Sequence, residues 1–237
     1  MAIQSNILKT FVRANLWLIL MVLGAAGFLT VYLLPHQSEI DSPLQVIYKI
    51  VVFLVISAGI ALFPNRSRFG YLLLLVPLLG FLGYIIPRIS YLGFVAVPQG
   101  LPNAEGEFYT YLYLMLFPAT LLSITLAYRL GGGTAGNCLK IASSGTILIF
   151  SGFLDLLWFV VNPIGIPSTL QYAHHIEMII GHYPSYSEGI AFAVLHLPIL
   201  GLVLLLPLDR WLHRLLEGPA APAPSRGPER TNSAAQR

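Results

Sequence analysis

Charge is what this 237-residue sequence has least of, with 13 Lys and Arg against 10 Asp and Glu, or 10% of the chain. A soluble domain carries about a quarter. That shortage excludes an ordinary water-soluble fold, and because the basic residues form no concentrated patch it also excludes a nucleic-acid partner. Cysteine is rarer still: Cys138 stands alone, which rules out a disulfide scaffold. No HExxH, CxxC or repeated HxxxH pattern is present. The run Gly131-Gly132-Gly133 lacks the lysine and the spacing of a phosphate-binding loop and reads as a flexible connector. No internal repeat of the kind that builds many transporters is visible.

What the sequence does have is apolar length. Hydrophobic residues make up 56% of it, and the sparse charges separate runs of about 20 residues, enough for a helix rising about 1.5 Å per residue to cross a bilayer core of about 30 Å. The expected fold is an all-α polytopic membrane domain over residues 1–216 with six transmembrane helices at about 14–34, 43–63, 69–87, 108–128, 141–163 and 189–208. Lys9 and Arg13, Arg66 and Arg68, Arg129 and Lys140, and Arg210 and Arg214 all fall on one side of such a layout. The excess of basic residues makes that side the cytoplasm. Both termini are then cytoplasmic, in a multi-pass protein of the plasma (inner) membrane. Acidic Glu39, Asp41, Glu105, Glu107, Glu177 and Glu188 lie on the opposite, outer side. Residues 217–237 are rich in Gly, Pro, Ala, Ser and Arg and read as a disordered cytoplasmic tail.

The outer loop before the last span holds most of the polar chemistry. Ser168 with Gln171 three residues on forms a capping-box pattern, and Gly181 and Pro184 supply a stop, which predicts an interfacial amphipathic helix at about 168–183. On a wheel of about 100° per residue, Tyr172, Ala173, Ile176, Ile179 and Ile180 share one face. His174, His175, Glu177, Met178 and His182 share the other. Within the membrane, Asp155 in the fifth span and His196 in the sixth fall at the same expected depth. An intramembrane carboxylate needs a partner or a cavity, so Asp155 marks a candidate site. Carboxylate plus imidazole is a ligand set for copper, zinc or iron, and a methionine sulfur would favour copper. Three readings stay open on residues alone: a bound metal or haem, a polar contact that fastens helices, or a proton or solute path.

Glu107-Phe108-Tyr109 at the start of the fourth span, and Gly181-His182 followed by Glu188 and then Ala193-Val194-Leu195-His196, give the layout a further meaning. In order of spans and in these stretches the chain resembles the third (C) subunit of the copper-containing membrane monooxygenases, the particulate methane and ammonia monooxygenases. There, two histidines 14 residues apart with an acidic residue between them belong to an intramembrane copper site. The resemblance implies Asp155, His182 and His196 as metal ligands and copper as the cofactor; His174, His175 and Glu177, which the outer helix could bring to the mouth of the same crevice, are secondary candidates on the residues alone. The chain departs from the family in three places: the loop from Ile89 to Glu107 holds no histidine, Met178 stands where the family has Asn, and Pro184 with the longer loop puts the two histidines on different helices.

The expected function is therefore an integral membrane subunit of a larger oxidoreductase-type complex, dependent on other membrane subunits and carrying a metal site in the outer half of the bilayer. The alternatives are a small proton-coupled transporter, in which Asp155 would titrate, and a purely structural or assembly subunit.

Overall fold

The structure, a computed structural model, describes residues 10–33, 42–64, 70–171 and 173–217. Lys9, Glu39, Asp41, Arg66, Arg68 and Tyr172, used above to orient the chain or its outer helix, lie outside the described residues, as does the expected tail beyond Glu217. Among the described residues every regular element is a helix, and the only strand-like pairing is an isolated antiparallel bridge between Thr169 and Ser185.

Five helices are long and apolar enough to cross a membrane: α1 (Leu16–Leu33), α2 (Pro43–Leu62), α3 (Leu75–Ala96), α4 (Ala104–Leu130) and, later in the chain, Tyr186–Leu205. Between them α5 (Ala135–Phe150) and α6 (Phe153–Val161) form a bent pair, kinked by 65°, which counts as a sixth crossing if taken as one. A short helix α7 (His174–Ile180) leads to α8 (Tyr186–Leu205), and α9 (Leu208–Glu217) follows. The chain thus has the helices of a multi-pass membrane protein.

Boundaries moved where charge had been read as a stop. Arg88 was expected to close the third span near residue 87, yet it sits well inside α3. Its guanidinium donates to Glu107 at 2.5 Å and lies over the rings of Tyr91 and Tyr111, 5.7 and 5.4 Å from their centroids. A charge so compensated does not have to end a helix. The same tyrosine joins a cluster of three hydroxyls, Tyr32, Tyr84 and Tyr111, separated by 2.8–3.2 Å. Helix α9 was not expected: Leu208, Trp211, Leu212 and Leu215 follow amphipathic spacing, but ten residues with five charged or imidazole side chains gave no membrane-span signal.

Packing centres on α5, which touches α2, α4, α6, α8 and α9. Its first half, with Gly136, Cys138 and Ala142 buried, carries small side chains at the contact surface. In lipid, where apolar contact with a neighbour gains little over apolar contact with acyl chains, close backbone approach is what joins helices. The α1–α2 pair uses the same device: a Cβ placed on Gly24 would fall 2.3 Å from Ile56 Cγ1. Three turns of π-helix interrupt the long spans, at Phe81–Ile85 and Leu92–Ala96 in α3 and at Leu112–Leu116 in α4. Such turns insert an extra residue and re-aim the side chains that follow, and they are frequent at functional sites.

Candidate functional site

The break between α5 and α6 builds the site. Ser151 ends α5, its hydroxyl accepting from the Phe153 amide at 3.2 Å, and Gly152 at φ +76° bends the chain by 65° in a conformation that suits glycine. A side chain at residue 152 would also be strained against Ile176 Cδ1, 2.9 Å from a Cβ built there. The turn places Asp155 in the first turn of α6, where amide dipoles favour a carboxylate. It also turns Asp155 inward, so that the residue is only 7% exposed.

Two groups meet that carboxylate. Tyr113, carried on the π turn of α4, donates its hydroxyl to Oδ1 at 3.2 Å. His175 of α7 brings Nε2 to 3.8 Å from Oδ2. His175 is buried because α7 does not float in the interface. Leu170, Ala173 and Ile176 form a core with Leu156 of α6 and Ala193 of α8, and this packing draws α7 into the protein. The helix is shorter than the expected 168–183. Leu170 is held by Pro184 through its amide at 2.7 Å, beside the Thr169–Ser185 bridge, so the chain is extended where Ser168 and Gln171 would have capped a helix. Gly181, at φ +84°, ends α7 as the sequence suggests.

Burial holds the His175 imidazole down to about 4, with the nearby His196 and His174 rings adding to the shift, so the ring is neutral near pH 7. Its Nε2 is enclosed without a hydrogen-bond partner. At 3.8 Å the gap to Asp155 is too long for a hydrogen bond. The Phe192 ring is 6.3 Å from the His175 ring and 4.6 Å from that of His196. His196 Nδ1 sits 2.8 Å from the Phe192 carbonyl, which can only accept. A proton is therefore on Nδ1, as in metal-bound histidines whose second nitrogen is anchored to the backbone.

The remaining sequence-predicted residues are placed elsewhere. His182 pairs with Glu188 at 3.1 Å, both half exposed, and Glu188 also closes a capping box with Ser185 at the start of α8. His174 pairs with Glu177 at 3.0 Å on the exposed side of α7. The structure thus brings Asp155 to His175 and packs His196 against Phe192, while it draws His182 into a surface pair with Glu188. Sequence reasoning missed Tyr113 altogether and ranked His175 low. A tyrosine inside an apolar run was the available signal for the first. For the second it was the position of His175 beside Ala173 and Ile176, which are buried, whereas Ile179 and Ile180 of the same expected face are exposed.

Among the described residues no three His, Cys, Asp or Glu side chains converge to hold a metal ion. The two that face each other, His175 Nε2 and Asp155 Oδ2, stand 3.8 Å apart, somewhat wider than the about 3.4 Å between two ligand atoms each about 2.1 Å from a tetrahedral ion. The unpartnered Nε2 is the atom such an ion would use. No protein-family model, curated protein or solved structure matches this chain.

Proposed function

We propose that this protein is an integral subunit of an oxidoreductase-type complex in the plasma membrane, with a metal centre, copper by the resemblance noted above, on Asp155 and His175. In this reading α5 and α6 form one broken crossing, six spans put both termini in the cytoplasm, and the site lies in the outer half of the bilayer. The observation that carries the proposal is the buried, neutral, unpartnered His175 Nε2 aimed at a buried carboxylate. Leaving both groups short of partners costs several kcal/mol in a low-dielectric interior, and a cation between them would remove that cost. Bound copper would supply one-electron redox chemistry. Tyr113 would orient the Asp155 carboxylate.

The test is metal stoichiometry of the detergent-solubilised protein after dialysis against a weak chelator. Wild type is expected to retain close to one equivalent. Asp155→Ala, His175→Ala and the double variant should each lose nearly all of it, because ligands of one ion are not additive. His182→Ala should retain it. Metal-free wild type that folds normally would overturn the metal reading and favour the structural one, in which the Tyr113–Asp155 bond fastens α4 to α6. Orientation is tested by a reporter active only outside the cytoplasm: fusions after Pro102 and Ser185 should be active and a fusion after Gly133 silent.

A further inference from the structure

At the far end of α5 from Asp155, the ends of several spans lie level with one another. Arg129, in the last turn of α4, donates to the carbonyl of Phe63, which caps α2, and Trp17 at the start of α1 packs edge-on against the Phe63 ring with centroids 5.0 Å apart. Lys140 of α5 donates to the Leu204 carbonyl at the end of α8. Helices α1, α2, α4, α5 and α8 thus each start or finish in one layer, which is where the apolar core of a bilayer has to end. Helix α9 begins in that layer. Leu206, with extended backbone at φ −59° and ψ 135°, ends α8, and α9 sets out two residues later as a separate helix. Asp209, which accepts from the Thr134 hydroxyl and the Gly136 amide, fixes one side of α9 to the start of α5, and Leu208, Leu212 and Leu216 are half-buried.

The rest of α9 faces away from the bundle. Trp211 and Leu215, one turn apart, are 48% and 76% exposed. Arg210 and Arg214, at the same spacing, form an exposed row beside them, and among the described residues neither is paired with an acid. Of the two acids in α9, Asp209 is committed to α5 and Glu217 is the last residue. An indole and a leucine in one row, with guanidinium groups in the next and all of them level with the span ends, is the pattern of a helix lying in a membrane interface. The apolar row enters the acyl boundary and the arginines stay among the headgroups, where a guanidinium meets phosphate through two parallel hydrogen bonds and gains most from a lipid of net negative charge. We propose that α9 lies in the bilayer interface and binds anionic phospholipid through Arg210 and Arg214. The proposal is independent of the metal reading, since α9 holds none of the ligands, and of orientation, since a bilayer with the same lipids on both faces tests it.

The experiment is quenching of tryptophan fluorescence by lipid brominated near the top of its acyl chain, with the full chain in nanodiscs of phosphatidylcholine and phosphatidylglycerol in equal amounts and the bromine on one lipid or on the other. The other tryptophans are Trp17 and Trp158, so subtracting the signal of Trp211→Phe, a conservative change at an exposed position, isolates Trp211. Its emission should be quenched by both lipids, and about twofold or more by brominated phosphatidylglycerol relative to brominated phosphatidylcholine. The double substitution Arg210→Gln with Arg214→Gln should bring the two to equality. No quenching of Trp211 by either lipid, the result if water or a partner subunit meets this face, would overturn the proposal. Equal quenching by the two lipids in the native sequence, or a preference for phosphatidylglycerol that survives the double substitution, would overturn it as well. The comparison of the two lipids is made with both arginines in place, so it decides the matter even if the double variant fails to fold.

Discussion

Two aspartates sit at opposite ends of the α5 region, and they are treated differently. Asp209 of α9 accepts from the Thr134 hydroxyl at 2.9 Å and from the Gly136 amide at 2.8 Å, so it clamps α9 onto the start of α5. Around it, Arg129 donates to the carbonyls of Phe63 and Gly133, each at 2.8 Å, and Lys140 donates to that of Leu204 at 2.7 Å. Each of these donors meets an oxygen at good distance. At the other end Asp155 is more deeply buried, yet it receives one 3.2 Å bond and faces an imidazole that stops 3.8 Å short. A carboxylate that only holds helices together resembles the first. A buried carboxylate left short of partners is expensive, and it persists in a protein where something else uses it.

The most damaging way to break this contrast is at Gly136. A methyl there would come within 2.5 Å of the Asp209 backbone nitrogen, an atom that cannot swing aside. Gly136→Ala should therefore push α9 off α5, breaking both Asp209 bonds, at a cost of about 3 kcal/mol. Thermal unfolding in detergent, followed by loss of the monodisperse peak, would show it. An equally stable variant would mean that the clamp does not hold the end of α5.

Acid should act at the other end. His175 is held neutral, with a value near 4 against about 6.5 when unfolded. Above pH 6.5 neither state binds a proton there, and no cost arises. Between pH 6.5 and 4 the unfolded chain takes up a proton that the folded site refuses, so stability falls with falling pH and levels off below 4. The full loss is about 3 kcal/mol. Burial is the main cause of the low His175 value, and the nearby His196 and His174 rings add to it. The check is a pH series of unfolding midpoints for metal-free wild type and His175→Gln. The variant should lose most of the decline below pH 6.5, and a parallel decline in both would remove His175 as its cause.

How much of this was readable beforehand follows from what each feature depends on. The spans were legible because twenty apolar residues in a row have few other uses, and Asp155 was legible because a carboxylate inside such a run is costly wherever it points. Its partner was not. Which of six histidines reaches Asp155 depends on the kink at Ser151–Gly152, on the extended stretch at Leu170 and on the burial of Ile176, all of which are set by tertiary packing. Matching depth by counting residues therefore favoured His196, whereas the chain folds back and delivers His175. Arg88 misled for the related reason that Glu107 and two tyrosine rings compensate its charge from another helix.

A smaller effect is expected from Asp209→Ala. It removes two hydrogen bonds but leaves the helix contact and lets water reach the partly exposed Thr134 hydroxyl, so the cost should be about 2 kcal/mol, below that of Gly136→Ala. If Asp209→Ala costs as much as Gly136→Ala, the carboxylate and not the close approach of the two helices dominates the clamp.

The smallest change, Tyr113→Phe, separates the two ends most sharply. It deletes one hydroxyl and keeps the ring, including its edge contact with Phe117 at 5.3 Å between centroids. If Asp155 were a structural residue like Asp209, its one 3.2 Å bond would matter, and the variant would lose about 1–2 kcal/mol with an ionised buried carboxylate left unsatisfied. If Asp155 is held for a cation, the bond serves mainly to orient it. Metal-loaded Tyr113→Phe should then unfold within about 0.5 kcal/mol of loaded wild type, because the ion still satisfies the carboxylate, while its metal affinity falls about tenfold, the lower end of what loss of a supporting hydrogen bond to a ligand costs. Unfolding midpoints and metal dissociation constants measured on the same preparations distinguish the cases. A loss of stability with no change in affinity would return Asp155 to the same structural class as Asp209.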